Sequence, residues 1–487
     1  MNKLRLLLSA GAMLSLVAGT ANAGRLMGMQ GDPNSVTGTG VVTMPNGFIE
    51  NGSPYTGGQG LEGESAAPFS KPEPGTINMR VNSFVNEFPM AMWWTGQDGK
   101  GTGTINKQQS YGVYGWIRVD IGVDGMTKNG IRYGAFTEIR ENNTTALGGA
   151  GGGGVTAGAS VASSFAQSAA GDSGDNTLYV RHAFVYIGTD QLGMLRIGSV
   201  VNAMTLFEVG MNDEFDIGGW ISLSGAIAPA QAVPTWPWAD NGGAYMAQGI
   251  AYLSPVFAGF DFGVSFEPNN STPLDGSGCL AGYVGCGTQS SSTLGADQGR
   301  YRNMINLAGR YRNTFGPIGL AASAIWTKSG KVDVAGGPQA FNAMDIIDLG
   351  AEVSINKTIS LGGNVFWGDF NNNWALQPVG GRNALAWTIG AKYTMPAAPI
   401  TLGINYFHYD YAGSWTSASP VTVSRTRTSQ GIDVGATYGL GPGVVLLAEY
   451  AWGQQHQGGV NLLGGPGPAT YNTTTAQAIT AGMSVRF

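Results

Sequence analysis

The sequence predicts an all-β fold, a 16-stranded antiparallel transmembrane β-barrel with short periplasmic turns and long extracellular loops. Three observations predict it. Of 487 residues only 11% are charged, while 43% are hydrophobic and 79 are glycine; soluble globular chains carry about 25% charged residues. Despite that apolar content, no run beyond the N-terminus is long enough for a transmembrane helix, so a membrane location requires a closed barrel. From residue 76 onward, segments of about ten residues alternate apolar with polar or small side chains, the period of a strand with one apolar face. The glycines have no three-residue period, which excludes a collagen-like chain.

The first 23 residues read as a signal peptide. Lys3 and Arg5 form a positive start, Leu6 to Ala18 an apolar stretch too short to span a bilayer, and Ala21-Asn22-Ala23 a small-residue cleavage site. Cleavage near Ala23 leaves Gly24 first and takes the formal net charge from -6 to -8, through loss of Lys3 and Arg5. Residues 24–75 are rich in Gly, Pro, Asn and Ser without periodicity. They read as an extension, disordered or forming a partial plug, ahead of a barrel domain over 76–487.

Sixteen strand segments follow, at approximately 77–87, 111–122, 130–140, 178–188, 193–200, 247–254, 259–267, 301–313, 317–328, 345–355, 359–369, 384–395, 399–410, 430–440, 443–453 and 477–487. An even count suits a single-chain bacterial barrel. The connections alternate between short links, such as Asn356-Lys357-Thr358 and Gly441-Pro442, and long ones, such as 141–177 and 201–246. A sandwich or propeller has no reason to alternate this way. Parity separates the faces. Ile347, Leu349, Ala351, Val353 and Ile355 share one side of their segment, with Asp348, Gly350, Glu352 and Ser354 opposite. Alternation alone does not say which face is outside. The aromatics help: Trp326, Trp367, Tyr406, Tyr450 and Trp452 fall on the apolar face near one end, and Tyr311, Tyr393, Tyr438 and Phe487 near the other. Two such girdles are expected at two lipid interfaces.

Cys279 and Cys286 are the two cysteines. In an exported protein they read as a disulfide closing a short loop, worth roughly 2–3 kcal/mol by the chain-entropy model; a metal pair or two free thiols are the alternatives, and no histidine lies nearby for a metal.

The chain ends Ser484-Val485-Arg486-Phe487, an alternating strand with a terminal phenylalanine. The stretch Val180 to Gly188, followed by Gly193-Met194-Leu195-Arg196-Ile197-Gly198, and a long third loop holding Glu214-Phe215-Asp216-Ile217-Gly218-Gly219, complete a pattern. Together they resemble the Gram-negative general diffusion porins, in particular the alphaproteobacterial-type outer-membrane porin. The resemblance covers the chain from about residue 76 to its end. It implies a homotrimer in the bacterial outer membrane, an inward-folded third loop, and passive diffusion of small hydrophilic solutes and ions. Two departures stand out: Ser199-Val200 replace the Arg-Gln pair that often continues the fifth strand, and the N-terminal extension has no counterpart.

On the polar parity lie Arg80, Arg118, Arg132, Arg140, Arg181 and Arg196, and, on the eighth segment, Arg300, Arg302, Arg310 and Arg312. An arginine facing mid-bilayer lipid costs about 2–4 kcal/mol, so this placement favours an aqueous interior. If the third loop folds inward, Asp213, Glu214 and Asp216 face those arginines across a narrowing. Charge rings at constrictions are how pores select solutes. The plainer alternative is solvated lumen arginines and acids that cap an external loop.

Nothing points to a catalytic group, a metal or another cofactor, or a nucleic-acid partner. Gly148 to Gly154 lacks the Lys-Ser or Lys-Thr of a phosphate loop. Asp172, Asp175 and Asn176 fit no calcium-loop spacing, and His182, His408 and His456 are scattered. A solute-specific channel, an outer-membrane enzyme and a structural barrel are the competing readings.

Overall fold

A computed structural model describes residues 41–43, 49–51, 72–98, 110–142, 179–189, 191–200, 202–210, 248–255, 257–269, 301–331, 341–356, 358–371, 376–413, 426–441, 444–463 and 471–486. A small hairpin, β1 (Val41–Thr43) with β2 (Ile49–Asn51), stands apart from the main sheet. The main sheet comprises β3 (Ile77–Trp94), β4 (Tyr111–Met126), β5 (Arg132–Asn142), β6 (Tyr179–Thr189), β7 (Gly193–Ser199), β8 (Gln248–Leu253), β9 (Phe260–Asn269), β10 (Tyr301–Phe315), β11 (Ile318–Lys331), β12 (Asp345–Ile355), β13 (Ile359–Gly368), β14 (Ala384–Thr394), β15 (Ile400–Tyr411), β16 (Arg427–Gly441), β17 (Val444–His456) and β18 (Thr473–Arg486). One short helix, α1 (Ala203–Phe207), follows β7.

Each strand of β3–β18 pairs antiparallel with its chain neighbour, and β18 returns to β3, so the order closes on itself as a barrel. At the seam Val485 lies opposite Val85. Every backbone ladder thereby finds a partner on both sides, which removes the exposed edges of an open sheet. The connections are short at one end, as at 316–317 and 356–358, and long at the other. Gly316 (φ 61°) and Asn356 (φ 52°) take the left-handed conformation such tight reversals need.

The first strand extends beyond the 77–87 expected from the sequence, reaching Trp94. Pro89 lies within it, and pairing to β18 skips Phe88 and Pro89 while holding at 84–87 and 90–94. A proline has no N–H to donate, so the ladder tolerates it only as a local gap.

Burial decides the question that parity left open. In β12, Ile347, Leu349, Val353 and Ile355 are 36–53% exposed, whereas Asp348, Glu352 and Ser354 are at most 1% exposed. The apolar face is therefore the outer one, the inverse of a water-soluble barrel. Both girdles sit on that face: Trp326, Trp367 and Tyr450 at the loop end, Tyr393 and Tyr438 at the turn end, all exposed. Trp93 and Tyr111 add to the first band, Phe257, Phe260 and Phe315 to the second. Phe487 lies outside the described residues.

The interior is not uniformly polar. Toward the loop end, Phe366, Phe370, Tyr409 and Tyr411 form a buried inner stack, with successive ring centroids 6.4, 5.5 and 4.1 Å apart. Loop bases fold over it. Asn371 bonds Gly413 in both directions (3.1 and 2.8 Å), and Gln457 Nε2 donates to the Ala412 carbonyl (3.2 Å).

Candidate functional site

After β7 the chain turns inward, and residues 202–209 are buried. Asn202 caps α1, its Oδ1 accepting the Thr205 N–H at 3.0 Å. All five helical residues, Ala203, Met204, Thr205, Leu206 and Phe207, are buried, four of them apolar. The segment rests on the inner faces of β9 to β13. Ser265 Oγ accepts the Ala203 N–H (2.9 Å), Ser323 Oγ accepts the Val209 N–H (3.1 Å), and Asn364 Nδ2 donates to the Val209 carbonyl (3.4 Å). Two inward glycines create the trough: a β-carbon on Gly263 would strike the Phe207 ring, and one on Gly350 the Val209 carbonyl.

Arginines fasten this shelf. Arg310 lies opposite Asp261 in the ladder and bonds it through Nε (3.4 Å) and Nη2 (2.7 Å). Its Nη1 donates to the Leu206 carbonyl at 2.9 Å, and its guanidinium carbon lies 4.7 Å from the Phe207 ring centre. Arg312 Nη2 reaches the same Asp261 carboxylate at 3.3 Å. Elsewhere on the wall, Arg132 pairs with Asp124, which also accepts the Tyr186 hydroxyl at 2.7 Å. Arg196 is buried with its guanidinium 5.2 Å from the Phe184 ring.

The structure thus joins Arg310 and Arg312 but sets Arg132 and Arg196 apart from them. Arg302 departs from the common face expected for the eighth segment. The register on β11 shifts between Arg302 and Ile305, where Asn303 has φ 49°. Tyr301 is buried there instead, and Arg302 is half-buried opposite Gly330, on the outer parity of β11. A bulge of this kind re-aims the residues on either side of it. Arg80, Arg118, Arg140 and Arg181 lie on β3 to β6, but their side chains fall outside the described residues. Arg300, Asp213, Glu214, Asp216, Cys279 and Cys286 lie outside them too.

Arginines are not alone on the polar face. Inward carboxylates are as prominent: Asp124, Glu138, Asp261, Glu267, Asp348, Glu352, Asp433 and Glu449 are all buried, beside Lys392 and Arg427. The signal was available, because these acids occupy the same polar parity as the arginines. Burial of a charge demands a partner, and a partner one strand away is invisible until register is known. Among the described residues no group of three or more His, Cys, Asp or Glu side chains could hold a metal ion.

A sequence model of a family described as Gram-negative porin matches residues 10–457. No curated protein matches the chain. Among solved structures it resembles the outer membrane channel DcaP of Acinetobacter baumannii, with a TM-score of 0.52 and 9% identity, over 86% of this chain and 100% of that one. It also resembles an anion-selective porin from Comamonas acidovorans (TM-score 0.48, 13% identity, 85% and 100% covered) and a variant of Rh. blastica porin (0.44, 15%, 84% and 100%).

Proposed function

The chain belongs to the Gram-negative porin family, and from that premise we propose that it spans the outer membrane as a 16-stranded barrel and passes small hydrophilic solutes and ions by diffusion. One observation carries the reading. The closed sheet is apolar on its outer face and charged on its inner face, with an inward segment narrowing the interior. Only a membrane makes that inversion stable. Family membership points to a channel rather than an enzyme. Export by cleavage near Ala23, a Cys279–Cys286 disulfide and a role of residues 24–75 as a partial plug belong to the same proposal.

The described part of the shelf reaches Gly210, three residues before Asp213. We propose that the inward loop continues into Asp213, Glu214 and Asp216, which face wall arginines across a narrowing. A homotrimer belongs to the same proposal, as the resemblance to the general porins implies. The decisive measurement is conductance of the purified protein in planar bilayers. Current linear in solute concentration supports general diffusion. Absence of any pore removes the proposal. Saturating current favours the second reading, a solute-specific channel, for which the aromatic packing at the loop end argues.

A further inference from the structure

All three nitrogens of the Arg310 guanidinium are engaged: Nε and Nη2 with Asp261 on the adjacent strand, Nη1 with the Leu206 carbonyl in the last turn of α1. The cation also lies over Phe207, the last residue of the helix. Phe207 in turn occupies the space left by the missing side chain of Gly263. One rigid side chain therefore ties the wall to both a carbonyl and a ring of the inward segment. Cations are favoured at the free carbonyls of a helix end. The fork geometry matters as much as the charge, since an ammonium is a point donor and cannot span these partners together.

Asp261 plays a second part. It bonds Arg310 and reaches Arg312, so one carboxylate offsets two cations on the same wall. We propose that Arg310 is the positioning residue of the constriction, holding α1 against β9 and β10 and thereby setting the aperture, and that Asp261 masks Arg310 and Arg312 from passing ions. The inference rests on the diffusion-pore reading and adds which residues fix the width and which conceal charge. The two parts separate on mutation, because geometry sets conductance whereas unmasked charge sets ion preference.

The test records single channels of the full-length protein in planar bilayers under a salt gradient. Arg310→Lys keeps the charge and loses the fork. Its mean conductance shifts by roughly twofold and its open-state noise rises, with little change in reversal potential. Asp261→Asn keeps the side-chain shape and unmasks two cations, so its reversal potential moves toward anion preference. Phe207→Ala loosens the same clamp without removing a buried charge and serves if Arg310→Lys does not fold; its noise rises likewise. Wild-type conductance and noise in Arg310→Lys, or in Phe207→Ala where the former fails to fold, overturns the positioning role. An unshifted reversal potential in Asp261→Asn overturns the masking role. Wild-type protein that conducts nothing instead removes the pore reading beneath both.

Discussion

The carbonyl oxygen of Val209 sits directly above Gly350, in the space a β-carbon would fill. The same carbonyl accepts from Asn364 while the Val209 N–H donates to Ser323. The inward segment is thus held at its far end by a glycine gap between two polar side chains. Gly350→Ala should lift residue 209 off the wall, at an overpacking cost of about 1–3 kcal/mol. The barrel should still form, and single-channel conductance should change; wild-type conductance together with wild-type stability would show the gap to be unnecessary.

The pair of Arg132 and Asp124 is buried, with the Tyr186 hydroxyl on the same carboxylate. Breaking a buried pair by removing one partner costs about 3–5 kcal/mol, because the other charge is stranded. Asp124→Ala should lower the urea midpoint of the protein folded in vesicles accordingly, and Tyr186→Phe by a smaller amount, about 1 kcal/mol for one hydrogen bond.

Outer and inner faces should answer an introduced charge in opposite ways. Leu349 and Ile389 are exposed on the outer face, whereas Thr388 is buried on the inner one. Leu349→Arg or Ile389→Arg should cost about 2–4 kcal/mol of folding into a bilayer. Thr388→Arg should perturb conductance more than insertion. Equal insertion yields for Leu349→Arg and the wild type would contradict an outer face in lipid.

At the rim, Lys328 and Asp345 form an ion pair of 3.4 Å with both side chains about half exposed. Such pairs contribute about 0–1 kcal/mol and are screened by salt. Lys328→Ala should leave the unfolding midpoint within experimental scatter. A clear loss would mean that this rim is packed against another surface.

The aromatic stack is held from above by Asn371, whose Nδ2 donates to the Gly413 carbonyl and whose Oδ1 accepts the Gly413 N–H. Asn371→Ala leaves the buried Gly413 backbone without these partners, a loss of about 1–3 kcal/mol. Proteolysis of the loop at 412–426 should accelerate relative to the wild type.

How far the sequence reached depends on range. Strand positions were legible because a two-residue period is a local property, and the parity of Ile347 against Asp348 is written in adjacent letters. The girdles were legible for the same reason, once direction was added to parity. The strand boundary near Pro89 was misjudged, because proline weakens a strand locally while the neighbours on both sides hold it. Arg302 was misplaced because one bulge at Asn303 breaks a count that assumes perfect alternation.

What the sequence alone determined was the alternation, its spacing, and the division between short and long connections, all consequences of backbone geometry along one strand. The tertiary structure alone decided which carboxylate meets which arginine, and where residues 202–210 lie against the wall. Arg310 and Asp261 are 49 residues apart in the chain, and Val209 and Asn364 are 155 apart. Contacts of that span depend on the register between strands and the closure of the ring, which no local pattern encodes.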